Sequence, residues 1–494
     1  MMFWWLSLGI ILPVITGFLL VSCWWSELRT GHAAFWCKLW VAVGVGLGVS
    51  SFTLFFTLFV AGSASFAVMF STEILILVTL LGIRGSVNKE CISPSARDSE
   101  IPTPPSSQAD SGLTDSGLMG NTLSQILAIA FWVALIFAIG MLILRSLENP
   151  HGEPDAWTCW NSRARLFFRS GANWRNGFGG GNWAFPSYPL LTPMNIVRLW
   201  VYIGKETLIG PAIIAFLFTC ATVGLLVSAL AILRGRTQAF IGGLILSSTP
   251  YFIKHGAAQY ADVPFGFYVL STLVLLNFQD ELAETPYKLW GLVGIVVGFA
   301  AWTKNEGWLL LVSVIIARVL TILIFKGQSI PSRRELWSFF MGIVPILVFL
   351  GYFRLAVASH HSFPSSAQGL SPLIERFTDF SRYFQTGKVF LRQIIEPYSL
   401  VYSTPIALFF VYAIFLGLQV RQLKKVGLIS SLLTLGLMGG SYFFVFIVIP
   451  TDLTLLLTTS LSRLFLQLWP GMVFVFLMII ANPEERRNFY GVNT

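Results

Sequence analysis

Residues 207–233 read TLIGPAIIAFLFTCATVGLLVSALAIL, without one charged side chain from end to end. A helix that crosses a bilayer needs roughly 20 apolar residues, so this stretch is long enough to span and too apolar to sit against water. Runs of the same kind recur on both sides, at 3–25, 35–61, 66–83, 123–144, 239–253, 264–278, 289–302, 307–325, 336–356, 400–420, 426–449 and 464–480. Together they point to an all-α polytopic membrane protein with about thirteen transmembrane helices. Composition agrees: 55% of the 494 residues are hydrophobic, 11% are charged, and the mean hydropathy is +0.73. A soluble globular domain is excluded by that balance. The net charge of +9 is spread among loops between apolar runs, so it anchors the chain at a membrane surface and does not indicate nucleic acid.

Between the third and fourth runs, residues 84–122 are rich in Ser, Pro, Asp and Gly and hold too little apolar surface to offset the entropy of ordering. The expected organisation is a three-helix N-terminal membrane unit (1–83), a disordered cytoplasmic linker (84–122) and a transmembrane core (123–494) with two long outer loops, 145–206 and 359–398. Short-loop cations set orientation. With Arg84, Lys89 and Arg97 of the linker inside, the pairs Arg234/Arg236, Arg333/Arg334 and Lys424/Lys425 fall on the same side. The N-terminus is then outside and is read as a retained helix, for it lacks the basic leader of a signal peptide. Cys23, Cys37, Cys91, Cys159 and Cys220 form no CxxC or His/Cys spacing, and no metal site or disulfide framework follows.

Chemistry is expected on the outer face. The first outer loop carries HGEPDAWTCWNSRARLFFRSG, with Asp155 among Trp157, Trp160, Asn161 and Arg163. A carboxylate there suits a general base, aromatic rings suit the flat faces of sugars, and Arg and Asn suit phosphate or hydroxyl groups. An interfacial aromatic belt with an ion pair accounts for the same residues. Further on, YPLLTP supplies Tyr188, and KHGAAQYADVP supplies His255, Gln259, Tyr260 and Asp262. An acid at a bilayer boundary is a functional candidate, although Asp followed by Pro264 also suits the start of a helix. WTKNEGW places Lys304 and Glu306 in one outer turn, and SRLFLQLWP places Arg463 at the outer edge of the last span. Arg463 is the stronger phosphate candidate, since Lys304 has Glu306 to pair with; snorkelling explains both cations as well. The second outer loop adds Lys388 and Arg392 beside amphipathic stretches, a candidate lid over an anionic head group or a plain solvated face.

Taken in order, DAWTCWNSRAR, YPLL-x-P, QYADVPFGFY, TKNEG and SRLFLQLWP resemble bacterial polytopic glycosyltransferases of the GT-C superfamily, to which protein O-mannosyltransferases and the aminoarabinose transferase belong. The resemblance covers roughly residues 123–480. It implies a membrane fold with an extracytoplasmic active site in the bacterial inner membrane, a polyprenyl-phosphate-linked sugar as donor and co-substrate, and inversion at the anomeric carbon. Asp155 falls where that superfamily has the base that deprotonates the acceptor hydroxyl, and Asp262 near its second acidic position. Arg463 and Lys304 fall where cations meet the departing lipid phosphate. Where relatives read HPDYPLL this chain has FPSYPLL, so Phe185 and Ser187 replace a His and an Asp. The acceptor, whether glycan, lipid or protein, is not encoded in any motif. No cofactor is implied, and two carboxylates on one face would work with or without a divalent metal. A transporter or flippase of a lipid-linked anion is the rival reading; it usually shows repeats and midspan charges, of which Glu73 and Arg318 are the clearest here.

Overall fold

The computed structural model describes residues 2–25, 31–90, 115–178, 188–281, 286–327, 330–358, 370–395, 412–450 and 452–482. Those residues are helical throughout, apart from turns and one isolated bridge between Leu418 and Ile480. Four long helices open the chain: α1 (Met2–Trp24), α2 (His32–Ala61), α3 (Phe66–Glu90) and α4 (Asp115–Glu148). The segment read as the first outer loop is largely helical. A π-helical turn (Ala156–Trp160) leads into α5 (Asn161–Arg169), a 3₁₀ turn (Gly171–Phe178) and α6 (Leu191–Ile203). Helix α6 is buried over nearly its whole length and packs against α1, α2, α5 and α7 (Ile209–Leu233).

Then follow α8 (Arg236–Ser247), α9 (Pro250–Ala257), α10 (Asp262–Glu281), α11 (Pro286–Thr303), α12 (Glu306–Ile324) and α13 (Arg333–Tyr352), the last extended by a π-helical turn (Phe353–Val357). Amphipathic α14 (Leu370–Thr378) and α15 (Phe380–Ile395) precede α16 (Val426–Val448), α17 (Leu453–Thr459) and α18 (Leu461–Ile479). Arg376 and Arg382 donate to the carbonyls of Phe446, Val448 and Ile449, capping the negative end of α16.

Among the described residues nine helices are long and apolar enough to cross a membrane, or ten when α9 and α10 count as one bent span. The expected count of about thirteen is therefore not confirmed among the described residues, for particular reasons. Residues 239–253 are broken at Ser248-Thr249, with Pro250 starting the new helix as its missing N–H allows. Helices α9 and α10 meet at 118°, and the apolar part of α11, Tyr287–Thr303, is short. Most of 400–420 lies outside the described residues, as do 91–114 of the expected linker, whose two ends are helical in α3 and α4.

Helices α11 and α13 pack by close backbone approach. A Cβ on Gly342 of α13 would collide with the carbonyl of Gly291 in α11, and one on Gly294 with that of Phe339. Small residues at such crossings let two helices touch where lipid supplies no hydrophobic drive for association. A capping box, Ser332 with Glu335, starts α13. The alternation of helix directions brings the end of α4, the α9–α10 bend, the α11–α12 turn and the start of α18 to one end of the bundle. Every leading sequence candidate sits there.

Candidate active site

Asp155 ends the loop after α4 and immediately precedes the π-helical turn, whose wider i→i+5 spacing turns successive tryptophans apart. Trp160 goes inward and stacks on Tyr188 at 5.7 Å, whereas Trp157 is exposed. Gly152 makes the approach possible. With φ of +77° its backbone is in the left-handed region, and a Cβ would meet the Ala258 carbonyl at 2.8 Å. Across that contact Glu153 N–H donates to the same carbonyl at 3.2 Å, locking the Asp155 loop to the α9–α10 bend.

The bend itself is strained at Gln259, a non-glycine residue with φ of +61°. Its side chain accepts from Asn161 Nδ2 at 2.7 Å and donates to the Pro150 carbonyl at 3.2 Å, so two loops are held by one amide. Asn161 also donates to the His151 carbonyl, and Arg163 to the Tyr188 carbonyl. All three side chains are buried and directed at protein groups. His255, also buried, has Nδ1 3.1 Å from the Tyr251 carbonyl, and its ring lies against those of Tyr251 and Tyr260. A carbonyl only accepts, so Nδ1 carries the proton. Ala156, Cys159, Trp160, Ala258, Tyr260 and Ala261 form a small apolar floor of their own, with Tyr188 packed on it.

Arg463, in the first turn of α18, joins the two aspartates. Its Nη1 donates to Asp155 Oδ2 at 2.5 Å, its Nη2 and Nε to Asp262 Oδ2 at 2.8 and 3.1 Å, and its guanidinium lies 4.6 Å from the centre of the Tyr260 ring. Asp262 is fully buried at the start of α10. Its other oxygen accepts from Lys304 Nζ at 2.9 Å and Gln467 Nε2 at 2.7 Å, and Tyr442 donates to Gln467 in turn at 2.9 Å. Lys304 bridges on to Glu306 at 2.9 Å. Burial alone would push the Lys304 ammonium down, but the carboxylates of Asp262 and Glu306 outweigh it and hold the group above its usual range. Tyr188 and Tyr260 are pushed up to about 12, burial being the larger cause in each, and so remain neutral donors.

Two cations thus face three carboxylates, and the aspartates are unlike. Asp155 is 44% exposed at its side chain and bound by Arg463, whereas Asp262 is 1% exposed and saturated. Asp262 accepts from Arg463, Lys304 and Gln467 with no access to solvent, whereas Asp155 meets Arg463 from a partly open position. Among the described residues no group of three or more His, Cys, Asp or Glu side chains is placed to hold a metal ion. Lys388 and Arg392 are exposed on α15, while Gln393 of that helix donates to Ser462, next to Arg463. Of the candidate lid, 359–398, residues 359–369 and 396–398 lie outside the described residues, as do Phe185 and Ser187.

Sequence reading missed Gln467, Tyr442 and Arg354. Gln467 follows Arg463 by four positions, so helical spacing alone puts both on one face. Arg354, in the π-helical turn after α13, donates to Asn305 Oδ1 of the Lys304–Glu306 turn. Only the fold brings it there.

A family model described as dolichyl-phosphate-mannose-protein mannosyltransferase matches residues 189–352, from α6 to the end of α13. The match supports a membrane glycosyltransferase of the GT-C type. It takes in Asp262, Lys304 and Glu306 of this glycosyltransferase, while Asp155 and Arg463 lie outside the matched residues. No curated protein and no solved structure gives a significant match to the chain.

Proposed function

We propose that the protein transfers a sugar from a polyprenyl-phosphate donor to an acceptor hydroxyl on the extracytoplasmic face, with Asp155 as general base and inversion at the anomeric carbon. The observation that supports this best is the shared guanidinium of Arg463, which touches an exposed carboxylate and a buried one at once. In the resting site Asp155 is tied to Arg463, which occupies the oxygen that would take the proton. A donor phosphate entering the site competes for the same guanidinium, to which its oxygens bind bidentately. Asp155 is thereby released beside the acceptor hydroxyl.

Attack by the hydroxyl oxygen on the anomeric carbon forms the new glycosidic bond as the bond to the phosphate oxygen breaks. The proton goes to Asp155, and the electron pair leaves with polyprenyl phosphate, whose charge meets Arg463 and Lys304. Phosphate so stabilised needs no general acid, so positioning and fixed charge carry the catalysis. Trp157, the exposed ring of the turn after Asp155, offers the sugar a flat surface, and the buried stack of Trp160 on Tyr188 supports that turn from below. The chain's apolar character fits a donor whose tail stays in lipid.

The test is donor consumption from a panel of polyprenyl-phosphate sugars by purified protein in lipid, with Asp155→Asn alongside. Consumption by the wild type that disappears in the variant supports the proposal and names the sugar. Wild-type consumption undiminished in Asp155→Asn removes the base assignment, and none with any donor removes the transfer reading.

A further inference from the structure

A second polar cleft opens on the other flank of α5. It has a volume of 340 Å³ and is lined by His151, Arg165, Arg169, Trp200, Glu206 and Thr207. Helix α5 divides its side chains between the two sites: Asn161 and Arg163 turn inward to the loops around Asp155, whereas Arg165 and Arg169 turn to the cleft.

Within it, Arg169 and Glu206 satisfy each other through two parallel bonds of 2.5 and 2.7 Å, and the hydrogen bond from Arg169 holds the Glu206 carboxyl below its usual range. Arg165 stands 4.0 Å from Glu206, outside hydrogen-bonding distance, and its Nη2 is 3.3 Å from His151 Nδ1. A guanidinium only donates, so Nδ1 of His151 must accept and the imidazole proton sits on Nε2. Thr207 adds a hydroxyl shut off from solvent with no hydrogen-bond partner. Once Arg169 and Glu206 have cancelled, the Arg165 guanidinium and an imidazole N–H remain to face the cleft. The cleft carries surplus positive charge, because its one carboxylate is already taken by Arg169.

We infer that this cleft binds the anionic group, carboxylate or phosphate, of a hydroxyl-bearing acceptor such as an acidic sugar or sugar phosphate; its role as an acceptor subsite rests on the transfer reading above. Its volume is at the small end for ligand sites, enough for one sugar-sized group. His151 precedes Asp155 by four residues, and an extended chain of that length spans at most about 14 Å. An acceptor anchored here by its charge therefore reaches Asp155 with a hydroxyl one or two sugar units away.

Calorimetric titration of the full-length protein in lipid discs tests this, with glucose 1-phosphate, glucose and inorganic phosphate as probes. Wild type should bind glucose 1-phosphate at least about tenfold more tightly than either glucose or phosphate alone, and Arg165→Gln should remove about tenfold of that. Equal affinity for glucose and glucose 1-phosphate, or unchanged binding in Arg165→Gln, overturns the assignment; equal affinity for inorganic phosphate overturns the hydroxyl-bearing class. Donor consumption without Arg165-dependent binding would sink the cleft and leave the transfer reading standing. Arg165-dependent binding without donor consumption would do the reverse.

Discussion

Two ionic clusters lie inside this bundle, made from the same residue types and finished differently. In the first, Glu73 of α3 faces Arg198 of α6. Nε of Arg198 donates to one carboxylate oxygen; Nη2, at 2.8 Å, and the Tyr202 hydroxyl, at 2.5 Å, donate to the other, and Nη1 donates to the Gly9 carbonyl. Both side chains are at most 5% exposed. One carboxylate meets one guanidinium and nothing is left over. In the second, three carboxylates share two cations and Asp155 stands partly in the open. A closed pair fastens α1, α3 and α6 together; an open one has a partner to exchange. Buried charge therefore marks structure or chemistry according to whether its hydrogen-bonding capacity is complete.

The largest difference should appear on mutation of Asp155. General-base assistance is worth about 10²–10⁴-fold, so Asp155→Asn should lower transfer by that factor, with a change in stability of no more than about 1 kcal/mol. Thermal melting together with donor consumption checks both halves. Glu73→Ala should behave in the opposite way. Leaving Arg198 buried and uncompensated costs about 3–5 kcal/mol, read as a fall in the melting temperature, while transfer per folded molecule is kept. A melt like that of the wild type would break the distinction drawn here.

Smaller effects sharpen it. Arg463→Lys keeps the charge and loses the fork that spans the two aspartates. Losing one charged hydrogen bond of about 1.5–3 kcal/mol should reduce kcat/KM for the donor about 10–100-fold. Smallest is the pH response of Lys304. Its folded value lies above the ordinary 10.5, so its stabilising contribution is complete below that value and is lost only as pH rises beyond it. The stability gap between wild type and Lys304→Met should be level from about pH 7 to about pH 9 and narrow only in stronger alkali.

How far the sequence foretold this differs between the clusters. Asp155, Asp262, Lys304, Glu306 and Arg463 stood out as polar residues at the ends of apolar runs, and the alternation of spans was enough to put them on one face. Their division of labour was not legible: Asp155 and Asp262 look equivalent in sequence, and only the packing of α10, α11 and α18 buries one and leaves the other exposed. Gln467 was within reach of helical spacing. Glu73 and Arg198 were not, because their contact joins positions far apart through a helix that reads as part of a loop. Gln259, Asn161 and Arg163 were chosen as substrate contacts for their polarity, which the structure directs to loop carbonyls and to one another.

Competition between phosphate and Asp155 for Arg463 is the centre of this mechanism, and binding alone measures it. Polyprenyl phosphate should be titrated into wild-type protein and Asp155→Asn in the same lipid discs. Removing the competing carboxylate should tighten binding roughly tenfold, the worth of one hydrogen bond to a charged group. Equal or weaker binding by the variant would contradict the exchange and detach Arg463 from the donor phosphate.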